Sequence, residues 1–228
     1  MKIATLLSVL LLLATPAIAD TIAVIGTGNV GAALGPEFAA QGHTIVYGSR
    51  NPGSDKAQAL VAKTGGNASA TTPAEAVVGA DIVVLAVPGL IVEEITLGLG
   101  DLAGKIIIDP TNPLQRGEGE FAFGVETSNA EIIQTAAPGA HVVKAFNALN
   151  WRTMIEPDSS GGPVTIPLAG NSDEAKARVA ELVEAMGLEA LDVGPIENAH
   201  WVEGMLMLWI NNRYGSDRQN FDYHLRKN

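Results

Sequence analysis

Short, continuously apolar runs alternate along this chain with longer stretches in which apolar positions recur at helical spacing. The runs at 21–26, 43–48, 66–70, 81–87, 105–109, 140–145, 163–169 and 188–192 read as strands. Several are largely β-branched, such as Ile82-Val83-Val84-Leu85 and Ile106-Ile107-Ile108, the composition of strands buried on both faces of a parallel sheet. Helices fit between them. Val30, Ala33, Leu34 and Phe38 share one helical face after the first strand, with Pro36 inside, where its ring and missing N–H are expected to kink the helix. Thr72-Pro73-Ala74-Glu75 opens another, with a capping Thr, Pro in the first helical position and a Glu able to close a capping box. Ser172-Asp173-Glu174 opens a third, which runs through Ala180, Leu182 and Val183 and stops at Gly187. Residues 201–214 carry Trp201, Met205, Leu208 and Trp209 at helical spacing, which predicts a core-facing or dimer-forming helix, with a place in a ligand pocket as the alternative. Strand–helix alternation throughout predicts an α/β fold with a mostly parallel sheet in a three-layer αβα arrangement. No internal repeat or low-complexity linker interrupts it, and the one loop-like stretch is 156–163, rich in Ser, Gly and Pro.

The first 19 residues stand outside this alternation. A single Lys2, an apolar core over 3–14, Pro16 and the small-x-small triplet Ala17-Ile18-Ala19 before Asp20 have the form of a cleaved export signal. The core is shorter than the roughly 20 apolar residues that a comfortable membrane span needs. The reading is therefore residues 1–19 as signal peptide and 20–228 as one dinucleotide-binding domain, periplasmic or secreted, with no stable membrane span after cleavage and an uncleaved N-terminal anchor as the alternative. No twin arginine precedes the core, so export of an unfolded chain is expected, with any cofactor acquired afterwards.

The junction between the first strand and the first helix carries the chemistry. Gly26-Thr27-Gly28-Asn29-Val30-Gly31 follows Thr21-Ile22-Ala23-Val24-Ile25 directly. In a strand–turn–helix of this kind the first Gly makes the tight turn, the second lets backbone approach a pyrophosphate, and the third lets the helix pack on the strand. The phosphates then meet the N–H groups at the helix start. This is the fingerprint of a Rossmann-type, doubly wound dinucleotide fold. The end of the second strand selects the cofactor. An acidic residue there would bind the ribose 2′-OH of NAD, but the chain reads Gly48-Ser49-Arg50-Asn51-Pro52, and a hydroxyl with a guanidinium suits the 2′-phosphate of NADP.

Without Lys2, 13 basic residues face 25 acidic ones, a net charge of −12. Such a surface repels nucleic acid and anionic membranes, so neither is expected as a partner. It also repels a dinucleotide at long range, leaving Arg50 and the helix terminus as the local attraction. The absence of cysteine excludes disulfides, iron–sulfur clusters and thiol catalysis. His43, His141, His200 and His224 show no metal spacing with carboxylates, so no metal site is expected. No acid–base pair stands out either, and no catalytic side chain is assigned.

Taken together, Gly26-x-Gly28-Asn29-x-Gly31, Tyr47-Gly48-Ser49-Arg50-Asn51-Pro52, Ala86-Val87-Pro88, Asp109-x-x-Asn112-Pro113, Val143-Lys144-Ala145-Phe146-Asn147 and Leu191-Asp192-x-Gly194-Pro195 resemble the NADPH-dependent reductases of the deazaflavin coenzyme F420. They are also similar to the cytosolic domain of the six-transmembrane ferric reductases. The resemblance implies an NADP-dependent oxidoreductase that moves a hydride between NADPH and a small-molecule redox acceptor, a flavin or F420-like deazaflavin. It places Val87 and Pro88 on the ribose–nicotinamide side, and Ala145 with Asn147 beside the nicotinamide and the acceptor ring. Asn112-Pro113 ends a strand on the same side, with an ordinary turn as the other reading. Two alternatives stay open: an NADP(H)-binding protein without turnover, and a reductase of the pyrroline-carboxylate or hydroxyacid type. The latter carry a helical substrate domain, for which about 35 residues after Asp192 are too few. A homodimer is compatible with the apolar C-terminal helix.

Overall fold

The structure, a computed structural model, describes residues 19–117, 121–214 and 221–226. The expected signal peptide thus lies outside the described residues except for Ala19. Among the described residues no helix is long and apolar enough to cross a membrane.

The chain runs β1 (Thr21–Ile25), α1 (Asn29–Ala40), β2 (Thr44–Gly48), α2 (Asp55–Thr64), β3 (Ala68–Thr71), α3 (Pro73–Ala76), β4 (Ile82–Leu85), α4 (Val92–Leu97), β5 (Ile106–Asp109), β6 (Leu114–Arg116), β7 (Phe121–Phe123), α5 (Asn129–Ala136), β8 (His141–Lys144), α6 (Trp151–Ile155), β9 (Thr165–Leu168), α7 (Asp173–Ala185), β10 (Glu189–Asp192) and α8 (Ala199–Tyr214). Six strands form a parallel sheet in the order β3-β2-β1-β4-β5-β8, which is the Rossmann order. The order reverses between β1 and β4, so the crevice for a ligand opens beyond the carboxyl ends of these two strands.

The β-branched runs are buried on both faces, and successive residues supply opposite layers. Ile22 and Val24 of β1 and Ile82 and Val84 of β4 pack with α1, α6 and α7, whereas Ala23, Ile25, Val83 and Leu85 pack with α3, α4 and α5. Period-two geometry thus delivers one apolar strand to two helical layers at once. The helix starts follow their caps: Glu75 accepts from the Thr72 N–H at 3.1 Å and from its hydroxyl at 2.6 Å, and the Ser172 hydroxyl accepts from Ala175 N–H at 3.2 Å. Helix α1 runs without a break from Asn29 to Ala40, with Pro36 inside it.

In the sheets and loops the sequence reading and the structure differ as follows. First, β9 and β10 form a parallel pair of their own, joined to the main sheet by an isolated bridge between Lys144 and Ala169. Second, β6 and β7 form an antiparallel hairpin that the sequence reading left unassigned. Third, the 156–163 stretch contains a 3-10 turn at Pro157–Ser160.

Candidate dinucleotide site

Beyond Ile25 the chain turns at Gly26, whose φ of +107° is the left-handed region that glycine tolerates. Its N–H donates to Gly48 O at 2.9 Å, stitching the turn to the end of β2. A Cβ on Gly26 would lie 2.2 Å from Ala86 O, and one on Gly31 would lie 2.2 Å from Gly26 O, so α1 sits directly on its entry strand. Gly28 is different. Nothing lies within 4 Å of its missing Cβ, and it is exposed together with Asn29. It stands at the start of α1 with no side-chain cap, and the first turn holds no acidic residue. The free N–H groups of that turn therefore face open space, which is the geometry an anion needs. Thr27 and Val30 flank them, half-buried.

At the end of β2, Ser49 N–H donates to Thr71 O at 2.9 Å and its hydroxyl accepts from Asn51 N–H at 3.2 Å, folding the loop over β3. Arg50 and Asn51 are exposed, and Arg50 has no hydrogen-bond or ion-pair partner among the described residues. A side-chain cation without an acidic neighbour, placed beyond the phosphate turn, fits the 2′-phosphate of an adenosine ribose.

On the other side of the turn, β4 ends at Leu85, two residues before the sequence reading ended it, so Val87 and Pro88 lie in the loop beyond the strand. Val87 Cγ1 stands 3.5 Å from the missing Gly26 Cβ and so borders the turn. Asn112 and Asn147 clasp each other: Asn112 Nδ2 donates to Asn147 O at 3.1 Å and Asn147 Nδ2 donates to Asn112 Oδ1 at 3.0 Å. Asn147 Nδ2 also reaches Val202 O on α8 at 3.1 Å, while its buried Oδ1 has no hydrogen-bond partner. Pro113 and Ala145 are buried beneath them. Phe146 adopts φ +61°, a strained conformation for a non-glycine residue of the kind that clusters at functional sites. The structure thus brings together the strand-end residues expected from sequence, although Ala145 is fully covered.

Sequence reasoning missed what lies under this floor, where it had found no acid–base grouping. Lys144 Nζ is 2.5 Å from Asp109 Oδ2, 2.6 Å from Glu203 Oε1 and donates to Thr111 O at 2.8 Å, and all three ionic side chains are fully buried. Asp109 Oδ1 accepts from Thr111 N–H and hydroxyl at 2.8 and 2.6 Å, and Glu203 Oε1 accepts from Asn129 N–H at 2.9 Å. Burial alone would lower the Lys144 pKa, but the two carboxylates outweigh it and hold it above its usual value. Burial pushes Glu203 up to about 7, with Lys144 pulling against it and Asp109 adding to it. A signal for this cluster exists in the sequence: Asp109 and Lys144 end buried apolar runs, where an unpaired charge is too costly to persist.

Glu203 also explains a correction to α8. Of the expected apolar stripe, Trp209 is buried and Met205 half-buried, but Trp201 and Leu208 are 72% and 67% exposed, and Val202, Glu203, Leu206 and Ile210 complete the buried face. The ion pair with Lys144 turns the Glu203 face to the core, and Trp201, about 200° away around the helix, turns outward.

Residues 21–113 match the protein family described as NADP oxidoreductase, coenzyme F420-dependent. The F420-dependent NADP reductase of Methanothermobacter thermautotrophicus is 32% identical over 208 residues, covering 83% of this chain and 88% of that protein. The chain belongs to this family. Its members are NADP-dependent oxidoreductases. The rat metalloreductase STEAP3 is 30% identical over 191 residues, but the chain spans only 37% of its length. Among solved structures, a candidate F420-dependent NADP reductase from Arthrobacter sp. FB24 superposes with a TM-score of 0.83 at 30% identity, over 92% of this chain and all of that one. A reductive aminase from Aspergillus terreus, at 21% identity and a TM-score of 0.62, shares the fold.

Proposed function

We propose that this protein transfers a hydride between NADPH and a planar flavin or deazaflavin acceptor. The observation that carries the acceptor class is an aromatic rim beside the Asn112–Asn147 clasp. Phe123 of β7 stacks on His200 with centroids 5.3 Å apart, and His200 meets Trp201 edge-on at 5.1 Å. Gly124, next to Phe123, donates to Pro113 O at 2.7 Å, and exposed Leu90 packs against it. An apolar, largely exposed surface of this kind suits a flat ring better than a small hydroxyacid.

NADPH supplies a hydride from nicotinamide C4, which must be held about 3 to 3.5 Å from the acceptor in stacked alignment. The chain's task is placement. Gly26, Thr27, Gly28, Asn29, Val30 and Gly31 receive the pyrophosphate, and Ser49, Arg50 and Asn51 take the 2′-phosphate. Val87, Pro88 and Asn112 form the ribose–nicotinamide side, with Pro113, Ala145 and Asn147 buried beneath it as its floor. The similarity to F420-dependent reductases along 88% of one relative's length supports the deazaflavin as first candidate.

The test is NADPH oxidation by the purified protein with F420, FMN and ferric citrate, followed at 340 nm. Turnover with a ring acceptor is expected. NADPH binding, seen as a fluorescence change, without oxidation by any acceptor would instead mark a carrier of the dinucleotide. We further propose export through the first 19 residues. Mass spectrometry of the native protein should find a chain beginning at Asp20 outside the cytoplasmic membrane, and an intact Met1 chain in the cytosol would refute export without touching the NADP site.

A further inference from the structure

We propose that the buried Asp109–Lys144–Glu203 cluster sets the redox preference of the bound dinucleotide, its net negative charge favouring the oxidised, cationic nicotinamide over the reduced, neutral one. The inference rests on the placement of NADP given above. With the 2′-phosphate at Arg50 beyond β2 and the pyrophosphate on the Gly26–Gly31 turn beside β1, the rest of the dinucleotide extends over the ends of β4, β5 and β8. The cluster lies at the last residues of β5 and β8, directly under that half.

The charge count is the core of the argument. Two carboxylates and one ammonium carry −1 when all are ionised, and no second cation reaches them among the described residues. Asn129 of α5 contributes only an N–H, and Glu131 on that helix turns to Ser128. On α8, His200 is tied to Thr127 O; Glu197, just before the helix, is exposed, and β7 carries no charge. Glu203 Oε2 is buried without a hydrogen-bond partner, so the cluster's excess charge is not neutralised internally. Hydride departure takes two electrons and a proton from the dihydronicotinamide and leaves its ring with one positive charge. A fixed negative charge beneath the ring stabilises that product and raises the driving force for hydride donation to the acceptor.

The connection to the site is mechanical as well as electrostatic. Lys144 Nζ holds Thr111 O, next to Asn112, and Ala145 N–H holds Asp109 O at 3.1 Å. Val202, adjacent to Glu203, holds Asn147. A purely structural cluster would change the affinity for both forms of the cofactor alike. A charge device changes their ratio. Because burial brings Glu203 to about 7, the cluster is neutral well below that pH and carries −1 well above it.

The deciding measurement is the ratio of dissociation constants, NADP⁺ over NADPH, by titration calorimetry on the whole protein at pH 6 and pH 8.5. The 2′-phosphate ionises in both forms, so it cancels in the ratio. A unit charge acting across about 10 Å at an effective dielectric between 20 and 80 corresponds to about a two- to fifteenfold change. In the wild type the ratio should fall by such a factor on going from pH 6 to 8.5. In Glu203→Gln it should stay near the pH 6 value at both pH values. An unchanged wild-type ratio, or a Gln variant that keeps the full shift and so assigns it to another group, overturns the inference. The wild-type arm decides alone if the variant does not fold. Failure of both forms to bind overturns the cofactor site itself, and this inference with it.

Discussion

Replacing Lys144 by Met tests whether the buried cluster is held together by its cation. Met keeps an unbranched, apolar stem of similar reach, so most of the packing survives and the loss is the ammonium. That ammonium contacts Asp109 at 2.5 Å, Glu203 at 2.6 Å and Thr111 O at 2.8 Å. Without it, Asp109 keeps its two bonds from Thr111, while Glu203 keeps only the Asn129 N–H. Removing one partner of a buried pair costs about 3 to 5 kcal/mol, because the other charge stays buried. The pH dependence separates this cause from a packing defect. Glu203 has a folded-state pKa raised to about 7, so its contribution to stability is greatest at low pH and is lost as pH rises through that value. Loss of Lys144 raises the folded-state pKa further. Below pH 7 both proteins carry a protonated Glu203, and the deficit is nearly constant. Above it, the variant continues to lose up to about 1.4 kcal/mol per pH unit, while the wild type levels off. Urea denaturation at pH 6, 7.5 and 9 gives the three values. A deficit below about 1 kcal/mol at every pH, or one that does not grow between pH 7.5 and 9, would refute the reasoning, and adding Glu203→Gln to the variant should flatten the dependence.

Arg50→Ala should weaken NADPH binding about five- to thirtyfold, or roughly 1 to 2 kcal/mol, the lower range because the guanidinium is exposed, and leave NADH binding unchanged; equal losses by calorimetry would remove the 2′-phosphate assignment. Gly28→Val should abolish dinucleotide binding with an unaltered circular dichroism spectrum, since its side chain meets only the open space above the turn. Gly31→Ala should instead lower the midpoint of thermal unfolding, because its Cβ would stand 2.2 Å from Gly26 O and overpacking of this kind costs about 1 to 3 kcal/mol.

What could be read in the sequence was local. The central strands are buried on both faces, so their apolar runs are continuous and hard to mistake. The glycine turn is six consecutive residues whose spacing sets its geometry, and the exposed position of Arg50 follows from the end of the next strand. The hairpin of β6 and β7 gave no such signal. Its strands have three residues each, too few for a period to show, and the Phe121 N–H and carbonyl are satisfied by the side chain of Asn211 on α8. The orientation of α8 was hidden for a different reason. Counting apolar residues ranks Trp201 and Leu208 as the inward face, but a carboxylate drawn to a buried lysine outweighs a single aromatic, because an unpaired buried charge costs more than an exposed indole gains by burial. Lys144 sits at the end of β8 and Glu203 one turn into α8, so only the fold reveals that they meet. A charged residue closing a buried strand nevertheless demands a partner. Asp109 and Lys144 end neighbouring parallel strands in register, so a parallel sheet alone already places those two side by side, and the unanswered half of the charge then points to a third group on whichever element covers the strand ends.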